Sequence, residues 1–119
     1  MSARSKARRR ALDILFEADV RDDDPLEVLS QHEQRRADMG NPPLNDYTVA
    51  LVNGVQQHRD QIDEIVNGAA VGWSVARMPA VDRATVRLAT WELRYGDDAP
   101  QAVVISEAVS AVRELSTDE

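Results

Sequence analysis

Cysteine is absent from all 119 residues, which removes disulfides, thiolate nucleophiles and cysteine-ligated zinc or iron–sulfur sites. Aromatics are scarce: two Trp, two Tyr and one Phe leave few flat surfaces for stacking. No apolar run approaches the roughly 20 residues needed to span a bilayer, and no secretory h-region follows the charged opening, so a cytoplasmic protein is expected. Catalytic patterns are missing as well. His32 lies in a charged stretch and His58 on an apolar ridge, neither within a recognisable arrangement with a nucleophile or acid. The paired acids Asp63-Glu64 and Asp97-Asp98 fall at a helix exterior and a helix start, where surface charge and capping account for them. There is no phosphate-cradling glycine loop. Neither enzymatic activity nor a cofactor or metal is expected.

What the chain does have is a separation of charge. Arg4, Lys6, Arg8, Arg9 and Arg10 place 5 of the 14 basic residues in the first ten positions, with no acid among them, while all 21 acidic residues come later. The net charge of -7 and pI near 4.8 exclude general attraction to a polyanion, so any binding of nucleic acid must be local. The basic run leads into the helical spacing of Leu12, Leu15 and Phe16 and so occupies the opening turns of a helix. A helix start is already partly positive, and each exposed cation there is unfavourable by roughly 0.3 to 1 kcal/mol. A bound anion reverses that sign, because free backbone N–H groups, the dipole and the guanidinium forks then all point at it. The competing reading pairs Arg9 and Arg10 with Asp13 along the helix.

The remaining pattern is helical, with no convincing strand. The first helix runs from about Arg4 to Val20 and ends at Arg21-Asp22-Asp23-Asp24. Asp24 and Pro25 suit the start of a second, which Gly40 and Pro42-Pro43 stop near Met39. After an Asn45 cap, a third carries Tyr47, Leu51, Gly54, Val55, His58, Ile62 and Ile65 on one ridge, with a break expected near Arg59-Asp60. Gly54, a lone glycine within it, suggests close helix packing.

A fourth helix follows Met78-Pro79. Val81, Ala84, Leu88, Trp91 and Tyr95 form one apolar strip and Val86, Ala89 and Leu93 a second beside it, the pattern of a central helix covered on most sides. Its polar stripe holds Arg83, Arg87, Thr90 and Arg94, a second candidate surface for phosphate or a carboxylate-rich partner unless neighbouring acids pair with it. Asp97-Asp98 and Pro100 open a fifth helix whose buried face is expected to be Val104, Ile105, Ala108, Val109, Val112 and Leu115. Phe16, Trp91 and Tyr95 follow core spacing, which leaves Tyr47 and Trp73 as the stacking candidates, themselves compatible with the core or its edge.

Four segments carry a resemblance to a known family: Arg8-Arg9-Arg10-Ala11-Leu12-Asp13-Ile14-Leu15-Phe16; Leu51-Val52-Asn53-Gly54-Val55 with Ile62-Asp63; Trp73 with Val81 through Leu93; and Pro100 with Val104-Ile105-Ser106-Glu107-Ala108-Val109. In this order the chain resembles the NusB family of bacterial transcription antitermination factors. The resemblance implies one all-α helical domain over residues 1–119, with about five to seven helices. It also implies a chain lacking the family's closing C-terminal helix, whose absence would leave apolar surface on the fifth helix to be covered by a dimer partner or left loose. The implied function is binding of boxA RNA from ribosomal RNA leader transcripts together with NusE, a small-subunit ribosomal protein, in an RNA polymerase complex resistant to termination. By position, the RNA-binding motif falls on Lys6, Arg8 and Arg9, with Arg4 and Arg10 as further candidates; Arg87 matches the family's arginine on the central helix, and Asp82, beside Arg83, the acidic residue offered to a protein partner.

Two other readings are set against it. One is a helical interaction or dimerisation module that uses Asp82 and Arg83 without RNA. The other is the accessory domain of an RNA methyltransferase, which would require a longer parent protein to supply the cofactor site.

Overall fold

Local signals in the sequence mark where the chain turns. In the computed structural model, which describes residues 2–69, 74–96 and 99–115, these signals delimit six α-helices, with no strand among the described residues. Helix α1 (Ala3–Arg21) is capped by Ser2, whose hydroxyl accepts from the Ser5 N–H, and ends at Asp22 in the left-handed conformation with φ 55°. Helix α2 (Pro25–Asp38) has the Asp24 cap and the leading proline expected of it, and Gly40, at φ 72°, follows its end. The Asn45 side chain caps α3 (Asp46–Gln57). The long ridge does break, at His58, before α4 (Arg59–Ala69) begins. A short 3-10 turn, Val75–Arg77, leads to α5 (Ala80–Tyr95), and α6 (Gln101–Leu115) follows. Trp73, Asp97 and Asp98 lie outside the described residues.

The all-α expectation is met, and α5 is the central element. It packs against α1, α3, α4 and α6, while α1 also lies on α2 and α3. The main core gathers Ile14 and Leu15 of α1, Val28 of α2, Leu51, Val52 and Val55 of α3, and Leu88 of α5. A fully buried aliphatic side chain such as Ile14 or Leu51 contributes about 1.5–3 kcal/mol relative to exposure. A smaller cluster of Ile62, Val66, Val75 and Met78 covers the other end of α5, and Trp91 touches both clusters. A Cβ at position 54 would overlap the Trp91 indole, so this glycine is what lets α3 and α5 come together.

Three expectations about the core are corrected. Phe16 is 37% exposed rather than interior, because the buried face of α1 is set by Ala7, Ala11, Ile14 and Ala18 with Leu12 and Leu15 on one side of it. On α6 only Val104 and Ala111 are buried, whereas Ile105, Val109 and Leu115 are 50%, 44% and 41% exposed. The reason is geometric. Helix α6 is held chiefly by α5, and a helix resting on one neighbour buries a single strip, here the i,i+7 line. Leu93 of α5, expected in the second apolar strip, is likewise 43% exposed.

Candidate nucleic-acid interface

The helical repeat divides Arg4, Lys6, Arg8 and Arg10, at the start of α1, between two flanks. Positions four apart share a face, so Arg4 and Arg8 lie together toward α3 and α5, while Lys6 and Arg10 form an outer stripe that continues into Asp13 and Glu17. Ser2 caps this end, and no acid occupies the first turn.

The inner flank is committed to the fold. Arg8 is only 7% exposed; its Nε donates to Glu92 Oε1 at 2.8 Å and Oε2 at 3.1 Å, and its Nη1 reaches Glu107 Oε1 at 3.2 Å. Glu92, itself 3% exposed, also accepts from the Tyr47 hydroxyl, and Glu107 from the Ser5 hydroxyl. Burial by itself would lower the Arg8 pKa, but the hydrogen bond and negative charge of Glu92 outweigh it and the net direction is upward. For Tyr47, burial and the Glu92 carboxylate both push the phenol up. The Tyr47 ring lies under the Arg4 guanidinium, with Cζ 3.9 Å from the ring centroid. Four helices, α1, α3, α5 and α6, thus meet at one buried charge cluster.

The outer flank faces water. Lys6 and Arg10 are exposed, and no ion pair to either is formed among the described residues. Arg9 donates to Glu114 at 2.9 Å, and that contact lowers the Glu114 carboxyl, but Glu114 is exposed and the pair is of the weak surface kind.

The arginines of α5 are placed differently from those of α1. Arg87, 9% exposed, forms a two-pronged pair with Asp63 of α4, Nε to Oδ1 at 2.8 Å and Nη2 to Oδ2 at 2.9 Å. Arg83 grips Asp19 of α1 at 2.6 and 2.9 Å and donates to the carbonyls of Val75 and Met78, fixing the 3-10 turn. Of that stripe only Arg94 is exposed. Asp82 is half-buried in the first turn of α5, with one carboxylate oxygen occluded and unbonded among the described residues.

Three participants escaped the sequence. Glu92 stands between Trp91 and Leu93 and reads as a surface acid, although Thr85 and Leu88, seven and four positions earlier on the same face, are both buried and signal its direction. Arg35 and Arg36 of α2 sit in a stretch that reads as plain surface charge, yet with Arg10 they line a groove between α1 and α2.

Comparison with known proteins identifies the family and the fold. Residues 5–119 match the model of the NusB family. The chain is 53% identical over its whole length to the transcription antitermination protein NusB of a Nocardioides species, covering 85% of that protein, and 51% identical to that of Acidothermus cellulolyticus, covering 79%. Among solved structures it is similar to NusB of T. maritima, with a TM-score of 0.83 and 26% identity, spanning 99% of this chain and 82% of that one. A chain in the crystal structure of a plectonemic RNA supercoil gives a TM-score of 0.82 at 26% identity, spanning 98% of this chain and 83% of that one.

Proposed function

The chain belongs to the NusB family of transcription antitermination factors, and from that premise we propose that it binds single-stranded boxA-type RNA through the outer flank of α1. In this reading it acts jointly with the NusE ribosomal protein and reaches RNA polymerase through that assembly. The observation that carries it is the exposure of Lys6 and Arg10 at a capped, acid-free helix start on an otherwise acidic molecule. There the side-chain charge and the positive end of the helix dipole favour phosphate, while the remainder of the surface repels it. Arg9 joins them by exchanging the exposed Glu114 carboxylate for a phosphate, an exchange that leaves no buried charge behind. On the other flank, Arg4 stacked on Tyr47 offers a guanidinium face suited to an unstacked base.

Arg8 and Arg87 take positioning roles in this reading. Drawing either guanidinium out to a phosphate would strand Glu92 or Asp63, at a penalty larger than one exposed phosphate contact returns. Asp82 remains the acidic contact for NusE.

Each phosphate neutralised on a single strand adds about 0.7 to the logarithmic salt slope, so three cations give roughly 2. Modest affinity alone and tighter binding with NusE follow. The test is an anisotropy titration of a short boxA RNA, with and without NusE, at two salt concentrations. Binding that is strengthened by NusE and exceeds that of an unrelated RNA is expected; equal binding of both RNAs overturns the specificity.

A further inference from the structure

Between α1 and α2 lies an open trough of about 270 Å³, many times the ~10–15 Å³ that one water needs by the same measure, whose lining includes Arg10, Asp13, His32, Arg35, Arg36 and Met39, with Leu44 at its edge. Its far wall is the loop before α3, stapled to α2 by Arg36 Nε donating to the Pro42 carbonyl at 2.7 Å and by the Leu44 N–H donating to Glu33 at 2.9 Å. Three arginines therefore line a shape that the fold holds in place, Arg36 keeping its Nε on the Pro42 carbonyl. Nearby acids are largely occupied: Glu17 accepts from Arg21 at 2.6 Å and bonds His32 at 2.8 Å, and Glu33 faces the loop. Arg35 is exposed and has no ion-pair partner among the described residues.

We propose that this trough is a second phosphate-binding segment, taking the continuation of the RNA strand that crosses Lys6 and Arg10. The proposal rests on the reading of the outer flank given above. Arg10 joins the two, since it belongs to the outer stripe of α1 and also lines the trough. From there the sugar–phosphate chain meets Arg35 and Arg36, and Met39, 75% exposed, offers apolar surface to a base at the end of the path. Asp13 is the one opposing charge within the trough; loss of water around it pushes its carboxyl up, while His32, Arg10 and Arg9 pull it down. It limits the affinity of the strand.

The test uses the full chain and three RNAs: a short boxA RNA, and the same RNA lengthened at its 5′ or its 3′ end. Arg35→Gln should weaken binding of one lengthened RNA and reduce its salt slope by about 0.7, leaving the short RNA unaffected. Asp13→Asn should tighten that same lengthened RNA, an effect that a merely structural role would not produce. If neither variant changes any of the three while Lys6→Gln weakens all of them, the trough is not part of the path and the outer flank stands alone. If Lys6→Gln is also silent, both readings fall. Loss of an acidic protein partner with Arg35→Gln, without change in any RNA, would assign the trough to that protein instead and overturn the proposal.

Discussion

The cations of α1 and those of α5 look alike along the chain, arginines at helical spacing with few acids beside them, yet they end in different situations. Helix α5 is enclosed by α1, α3, α4 and α6, so Arg83 and Arg87 meet Asp19 and Asp63 before they meet solvent. In the opening turns of α1, Arg8 turns inward to a carboxylate pair while Lys6 and Arg10 face solvent. The availability of a cation is decided by how many helices surround its own, since desolvation forces a buried guanidinium to take a carboxylate partner. The density of positive charge in the sequence does not settle it.

Four variants would break or sharpen that contrast. The largest effect is expected for Glu92→Ala, which leaves Arg8 buried without its main partner and removes the acceptor of the Tyr47 hydroxyl; a loss of about 3–5 kcal/mol should appear in chemical denaturation. Stability within a few tenths of wild type would mean that the inner flank is not held as described. Next, Arg87→Ala removes both prongs of the Asp63 pair and should lower stability by about 1.5–3 kcal/mol, with RNA affinity unchanged at a temperature where the variant stays folded. Weaker RNA binding by that folded variant would erase the distinction between α5 and α1.

The outer flank should behave in the opposite way. Lys6→Gln combined with Arg10→Gln is expected to leave stability within about 0.5 kcal/mol. The RNA salt slope should fall by about 1.4, which titrations at several salt concentrations would measure. The smallest effect concerns Asp13, whose carboxyl is raised, chiefly by loss of surrounding water and against the pull of His32, Arg10 and Arg9. A raised carboxyl opposes folding once ionised, above its folded-state pKa, and has no effect below the unfolded-state value, where both states are protonated. Asp13→Asn should therefore melt at a higher temperature than wild type at neutral pH, with the advantage fading in acid; an advantage that grows as the pH falls would contradict the assignment.

Much of the architecture was legible because it is governed locally. The Asp24 and Asn45 caps, the stop at Gly40, the break at His58 and the close approach at Gly54 each depend on a few neighbouring residues and on helix geometry. The site was less legible. Arg8 and Glu92 are 84 positions apart, and nothing near either residue reveals the other. Phe16 and the outer strip of α6 carry core-like spacing, but spacing marks a face without telling whether a neighbour covers it. The groove residues Arg35 and Arg36 gave no local signal, since a charged stretch at the end of a weakly amphipathic helix reads the same whether it faces open solvent or another helix.

The sequence by itself determined the helices, their boundaries and the acidic body with its basic opening, because each follows from propensity, capping or composition over a short stretch. Only the tertiary structure decided which cations remain available to a polyanion, because desolvation and pairing act between helices that are brought together by folding alone.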